Sequence, residues 1–339
     1  MKNYKYLIIG GGTTAGYAAA EFVEQNIKQG ELCIISAEKI LPMNRPPLSK
    51  DYLKDESNDD ELLINDKQFY LNHDIEVMLE TTAKEVKFAE KKVVVDSGEE
   101  IGYEKLLIAT GSSVIHPGLE NENLENIFYL RNVVHSDKIR VAAEEAKNVV
   151  IIGGGYIGTE TAAILKEMGL QVSMIIPEDK LLAKFATPEI GEFFRNLFRE
   201  KGVDLYFKEE ANGFEGREKV EMVKMGSGRD LPADLVVVGA GVRPNVTLFE
   251  DTHLNINQGI VVDEYCQTNI PDVFAAGDVV EFPDVVFDKI RHVDHWENAF
   301  EQGKHAARVM TGKFERYNFL PFFFSDVFEY SYEFFGDSS

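Results

Sequence analysis

The chain has 339 residues, of which 44% are hydrophobic and 27% charged, and a formal net charge of -23 at pH 7. At roughly 150 residues per domain, this length predicts two domains or slightly more, each able to bury a sizeable core. No apolar run reaches the about 18 residues of a membrane span, the acidic balance sets the chain against nucleic acid and anionic membranes, and no signal peptide precedes the first strand, so a cytoplasmic setting is expected.

Residues 6–20 read YLIIGGGTTAGYAAA. The run Tyr6-Leu7-Ile8-Ile9 lacks polar alternation, which predicts a parallel strand buried on both faces. Gly10, Gly12 and Ala15 then stand at the G-x-G-x-x-G/A positions, where small residues permit a tight turn, close approach to a pyrophosphate and helix-to-strand packing. Thr13 opens the next helix, whose N-terminus offers free N–H groups to phosphates. Glu38 follows the apolar run 32–35, near the offset of an acid that binds a ribose hydroxyl. A dinucleotide is the expected ligand. Cys33 and Cys266 fall in or near strand patterns and predict buried thiols; two distant cysteines make neither a disulfide framework, a metal site nor a C-x-x-C pair.

Residues 42–53 read PMNRPPLSKDYL. The proline pair forbids a helix through 45–47, and Ser49 is expected to cap one beginning near Lys50. Arg45 and Lys50 are either two surface cations or fixed charges suited to a pyrophosphate and an electron-rich flavin ring. The acidic run 55–61 predicts an exposed loop or a helix start. Residues 76–101 alternate with period two, which predicts a small antiparallel sheet turning at Asp96-Ser97-Gly98. The segment 103–112, YEKLLIATGS, reads as a buried strand. Its small residues Ala109-Thr110-Gly111 let backbone approach a ligand, as any such strand-end turn would.

Residues 148–163, NVVIIGGGYIGTETAA, repeat the opening pattern. Gly153, Gly155 and Gly158 complete a G-x-G-x-x-G that contains Tyr156 and Ile157, and Glu178 follows at about the 20-residue offset. Two such units imply two dinucleotides, most simply a flavin and a nicotinamide. An acid at Glu178 can accept from a free ribose 2'-hydroxyl, and no cation lies nearer than Lys180, which favours NADH over NADPH. A charged amphipathic helix is predicted over 189–201, followed by weak strands. Residues 234–245, DLVVVGAGVRPN, predict a strand and a turn at Gly241 that closes over the nicotinamide nucleotide. Residues 268–278, TNIPDVFAAGD, place Asp278 at a strand's carboxyl end, as an acceptor for a ribityl hydroxyl or as a helix N-cap.

These stretches, with RPPLSKDYL, HVDHWENAFEQGKHAA and LPFFFSDVFEYSYEFFGD, resemble the two-dinucleotide FAD/NAD(P)H reductases over nearly the whole chain. Within them the chain is similar to the branch of monodehydroascorbate reductases, ferredoxin reductases and apoptosis-inducing-factor-like proteins, and most to the first. The resemblance implies an α/β fold with two Rossmann-like domains, the second inserted in the first. Residues 1–114 and 243–317 would form the FAD-binding domain, 115–242 the NAD(P)H-binding domain and 318–339 a partial α+β C-terminal piece. Gly10, Gly12, Thr13, Ala15, Glu38, Arg45, Lys50, Ala109, Thr110, Gly111 and Asp278 would hold FAD. Gly153, Gly155, Tyr156, Ile157, Gly158, Glu178 and Gly241 would hold NADH. Lys50 and Glu160 would pair beside flavin N5, where a fixed cation stabilises charge arriving with hydride. Trp296 would flank the flavin or serve as core.

Disulfide reductases of this superfamily carry cysteines early in the first domain, and residues 40–50 contain none. Electrons are therefore expected to leave from the flavin, to a small molecule such as monodehydroascorbate or to a redox protein. Monodehydroascorbate reductases resemble one another in an Arg-Arg pair before V-E-H and in a late Tyr-Ser-Arg; here those positions carry Arg291-His292 and Phe324-Ser325-Asp326. His292 and Phe324 are thus the expected substrate-facing residues, with weakened affinity for an ascorbate radical anion. The F-S-D element is closer to ferredoxin reductases, although the acidic chain makes a poor general field for an acidic ferredoxin. The alternative is a slow, NADH-sensing protein of the apoptosis-inducing-factor kind. Relatives continue past Phe-Gly-Asp, whereas this chain stops at Ser339. Phe328, Tyr330, Tyr332 and Phe334 would then form one face of a strand lacking its usual neighbour, covered by a partner subunit in a homodimer or left open in a partial chain.

Overall fold

A computed structural model describes residues 2–337. The first apolar run becomes the strand Lys2–Ile9, fully buried at Leu7 and Ile8. It sits in a seven-stranded sheet between two parallel neighbours, Leu32–Ile35 and Glu100–Ile108, with Glu76–Met78 beyond the former. The long strand Glu100–Ile108 serves two partners. Its first residues pair antiparallel with Lys92–Val95, which in turn pairs with Ala83–Lys87, while Leu106 to Ile108 pair in parallel with Val273–Ala275. The expected separate antiparallel sheet is therefore corrected: Glu76–Met78 is a parallel strand of the main sheet, and only 83–102 is antiparallel. Period two cannot distinguish these cases when a strand of three residues is half-buried on both faces.

A second, wholly parallel sheet runs in the order Asp204–Phe207, Gln171–Ile176, Asn148–Ile152, Leu235–Val238 and Ile127–Phe128. A three-stranded antiparallel sheet of Ala211–Glu215, Met222–Met225 and Asp230–Pro232 follows the predicted weak strands. The chain leaves the first sheet through Ser112–Val114 and returns through Val242–Pro244, and these segments pair antiparallel. The amphipathic helix forms at Pro188–Glu200, with Thr187 accepting from the Ile190 amide and Phe194, Leu197 and Phe198 buried. Asn58 likewise caps the short helix Asp59–Leu62 in the acidic run.

Glycines and alanines set how closely the helices lie. The helix Thr13–Glu24 packs Ala15, Ala18, Ala19 and Phe22 into one core with Ala306, Ala307, Val309 and Met310 of the helix Trp296–Met310. At their contact a Cβ on Gly303 would lie 2.4 Å from the carbonyl oxygen of Thr14. Cys33 and Cys266 are both buried free thiols. The last two strands, Phe322–Val327 and Tyr330–Phe335, form a hairpin with Phe328 in its turn at φ 55°. Phe328 thus stands outside the expected strand face, and Tyr330–Phe335 has a neighbour in Phe322–Val327. Phe323 stacks on Phe334 at 5.2 Å, whereas Tyr330 and Phe335 are exposed.

The Gly303 contact predicts that Gly303→Ala costs about 1 to 3 kcal/mol, because backbone on both sides leaves little room to relax. Thermal denaturation checks this, and an unchanged midpoint would contradict the close helix contact.

Candidate functional site

Both glycine helices begin at the carboxyl end of a buried strand. Gly10 turns at φ 129° and Gly153 at φ 111°, conformations closed to most side chains. A Cβ on Gly10 would meet the carbonyl oxygen of Ala109 at 2.0 Å, and one on Gly153 that of Gly239 at 2.4 Å. Each turn is thus pressed against the end of the neighbouring strand. Gly158 faces back onto the Gly153 carbonyl oxygen, 2.2 Å from its added Cβ, which locks the second helix to its own turn.

The helices Thr13–Glu24 and Tyr156–Glu167 have no side-chain cap and no acid in the first turn. Helices beginning near Val133 and Pro188, by contrast, are capped by Asn132 and Thr187. The amides of the glycine helices are left for an anion. A Cβ on Gly155 would meet nothing within 4 Å, and one on Gly12 only the Arg45 guanidinium, at 3.5 Å. These open, donor-lined cradles fit the pyrophosphates of FAD and NAD(P)H. Thr13 donates to the Met43 carbonyl at 3.3 Å, and Ala15 is buried.

Around the first cradle the charged residues form a chain. Arg45 donates to Glu38 Oε1 at 2.8 Å and to the Arg131 carbonyl at 2.6 Å. Arg131 donates to Asp278 Oδ2 and to Ser112 Oγ, both at 2.8 Å, and Ser112 donates to Asp278 at 2.8 Å. Burial opposes charge on Asp278, but Arg131 and Ser112 outweigh it and hold the carboxyl below its usual range. The helix N-cap alternative for Asp278 is overturned, since Val280 begins a strand. Thr110 exchanges hydrogen bonds with Asn245, and Gly111 turns at φ 64° beside Arg131. Sequence reasoning missed Arg131; its signal was a cation immediately before the capping Asn132.

The loop after Asn44 differs from expectation. Its prolines open a 3-10 turn, Pro46–Ser49, and Lys50 follows as its C-cap. Ser49 therefore caps no helix. Instead its hydroxyl donates to Glu160 Oε2 at 2.5 Å, because that buried carboxylate requires donors. Ser325 donates to Glu160 Oε1 at 2.8 Å, and Lys50 Nζ lies 3.5 Å from the same oxygen. Burial pushes the Glu160 carboxyl up from its ordinary value, against the pull of Lys50, Ser49 and Ser325. Lys50 also donates to Asp326 at 2.6 Å and lies 4.3 Å above the Phe324 ring. Trp296 meets Phe324 edge-on at 6.2 Å and donates its indole N–H to Asn44 at 3.0 Å. Asn44, Ser49, Ser325 and Asp326 are further residues the sequence reading left without a place at this site.

Tyr156 lies against Phe185 and Phe323 at 5.0 and 4.6 Å, and Ile157 is exposed. Glu178 is exposed beyond the strand Gln171–Ile176, while Lys180 is drawn to the Ala186 carbonyl at 2.6 Å. Gly241 turns at φ 91° beside Ile115. His292 turns Nδ1 to the Val280 carbonyl at 2.9 Å, and no hydrogen bond or ring contact joins it to Phe324 among the described residues. No His, Cys, Asp and Glu cluster able to hold a metal occurs among the described residues, nor any helix long and apolar enough to cross a membrane.

A family model described as pyridine nucleotide-disulphide oxidoreductase matches residues 4–303. A monodehydroascorbate reductase of Pisum sativum is 39% identical over an alignment of 362 positions, spanning 100% of this chain and 83% of that protein. The peroxisomal monodehydroascorbate reductase 4 of Arabidopsis thaliana is 37% identical, across 98% of this chain and 72% of its own length. The solved ferredoxin reductase for the CYP199A2 system of Rhodopseudomonas palustris has a TM-score of 0.94 at 31% identity, covering 97% of this chain and 81% of that one. Putidaredoxin reductase in its covalent complex with putidaredoxin gives 0.94 at 28%, covering 99% and 82%.

The glycine geometry separates folding from binding. Gly158→Ala is expected to destabilise the protein outright. Gly155→Ala, at φ -80° with open space around it, should fold normally and weaken NADH binding about tenfold. Thermal denaturation together with NADH titration decides; equal loss of stability in both variants would contradict the assignment.

Proposed function

The chain belongs to the pyridine nucleotide-disulphide oxidoreductase family, and from that premise we propose that it carries electrons from NADH through FAD to an acceptor outside the chain. It is an FAD-dependent NAD(P)H oxidoreductase. The observation that carries the finer reading is the approach of Lys50 to Glu160, 3.5 Å apart. One stands on the loop beside the first glycine turn and the other on the second glycine helix, so the pair lies where two bound dinucleotides would meet.

Bound FAD supplies a ring that takes hydride from NADH and passes electrons on. The chain supplies position and field. Lys50 puts a fixed ammonium where negative charge develops, and Glu160, gripped by Ser49 and Ser325, orients it. Arg45, Glu38 and Asp278 with the first glycine turn would hold FAD; the second turn, Glu178 and Gly241 would hold NADH. Glu178 suits a free 2'-hydroxyl, and Lys180, drawn toward Ala186, offers no cation for a 2'-phosphate. In this reading residues 1–114 and 243–317 serve FAD, 115–242 serve NADH, and 318–339 are a partial C-terminal piece.

Thiol chemistry has no place here. Cys33 and Cys266 are buried, and burial pushes the Cys33 thiol up to about 12. The acceptor is a small molecule, as in the monodehydroascorbate reductases, or a redox protein, as in the putidaredoxin complex. A cytoplasmic setting accords with the free thiols. The exposed Tyr330 and Phe335 suit a second subunit, and a homodimer is part of this reading.

Anaerobic stopped flow of the flavin-loaded protein tests the reading. NADH should reduce the flavin faster than NADPH does, and Lys50→Ala should slow reduction about 100-fold while FAD stays bound. An unchanged rate in Lys50→Ala would remove Lys50 from its role. A lasting long-wavelength band with slow reoxidation by every acceptor would favour the NADH-sensing alternative.

A further inference from the structure

Lys50 is claimed by two carboxylates of different character. Glu160 lies inward, 6% exposed, at 3.5 Å; Asp326 lies outward, 45% exposed, at 2.6 Å. Burial opposes charge on Asp326, but the hydrogen bonds from Lys50 and Ser331 outweigh it and keep the carboxyl below its usual range. Asp326 is thus an ionised group at the mouth of the site, and the shorter contact is the one that draws Lys50 outward. Beside it the rings of Phe324 and Trp296 stand half-buried, with Phe300 5.5 Å from Trp296 and Phe322 6.4 Å from Phe324.

The cations just before Trp296 in the chain are engaged elsewhere. Arg291 pairs with Asp284 at 2.9 Å and with Asp337 at 3.4 Å, and His292 faces a carbonyl. Among the described residues Lys304 makes no ion pair, and it lies over Phe300 at 4.7 Å, at the far end of the rings. Asp294 is exposed and Glu297 lies in the first turn of the helix Trp296–Met310. An anionic acceptor approaching Lys50 would therefore meet Asp326 first, whereas an uncharged planar one meets aromatic faces.

We propose that Asp326, by holding Lys50 at the mouth of the site, makes the ring shelf of Trp296 and Phe324 an acceptor site for an uncharged planar molecule of quinone type and sets it against anions. The inference rests on the FAD and NADH reading above. The reaction balances as NADH plus a proton and a quinone giving NAD+ and a hydroquinone: two electrons and one proton arrive as hydride, and the second proton comes from water. Asp326 is a positioning residue in this scheme, since it acts through Lys50 and through its own charge.

The test compares reoxidation of the NADH-reduced protein by naphthoquinone, by ferricyanide as an anion and by hexaammineruthenium(III) as a cation. In Asp326→Asn the ratio of kcat/KM for ferricyanide to that for hexaammineruthenium should rise about tenfold. Asp326→Glu should keep the wild-type ratio. Glu297→Gln, which removes an acid from the same rim, should move it less than about threefold. Fluorescence of Trp296, the single tryptophan, gives a readout independent of turnover: naphthohydroquinone should quench it in the wild type, and ascorbate only in Asp326→Asn. A ratio that stays put in Asp326→Asn, an equal shift in Glu297→Gln, or equal quenching by ascorbate in both proteins would overturn the assignment to Asp326. A flavin that NADH does not reduce at all would overturn the underlying reading instead.

Discussion

A buried carboxylate holds this molecule's distant parts to one another. Glu160 lies inside the second glycine helix, and an ionised group there is costly unless donors surround it. Those donors come from elsewhere in the chain: Ser49 and Lys50 from the proline loop near the first glycine turn, Ser325 from the terminal hairpin. Removing any one would leave part of the carboxylate unsatisfied, so the three segments are coupled through a single side chain. Burial raises the proton affinity of Glu160 against the pull of these donors, and the coupling fixes Lys50 within reach of two acids. The packing of three segments and the position of Lys50 therefore meet at one desolvated carboxyl group.

The frame around it comes from close backbone approach. Gly10 against Ala109 and Gly153 against Gly239 bring each glycine turn onto the end of the adjacent strand, where helix amides point outward without a side-chain cap. The antiparallel pairing of Ser112–Val114 with Val242–Pro244 ties the exit and return of the chain together, which fixes the second sheet's position relative to the first. Only with that position fixed can a loop residue near 50 and a helix residue near 160 share a proton-scale geometry.

Much of this was legible in the sequence because it is local. Strand, glycine turn and helix follow one another within about fifteen residues, and each residue type reports its own backbone need. Apolar runs with no alternation marked the parallel strands. What escaped was non-local or ambiguous. Ser49 reads as a helix cap by type, yet it answers a carboxylate on another helix. Arg131 carries no motif, and its partnership with Asp278 exists only after the second sheet has folded in between. Asp326 was visible as a departure from relatives, but its contact with Lys50 could not be deduced from spacing. Glu76–Met78 was too short for its pattern to choose between parallel and antiparallel neighbours.

The most direct measurement is a double-mutant cycle on Lys50→Met and Glu160→Gln, read as the anaerobic rate at which NADH reduces the bound flavin. If the two side chains act as a unit, the double variant should be no slower than the slower single variant. Rate losses that multiply, as for independent groups, would contradict a shared role and leave their 3.5 Å approach a matter of packing alone.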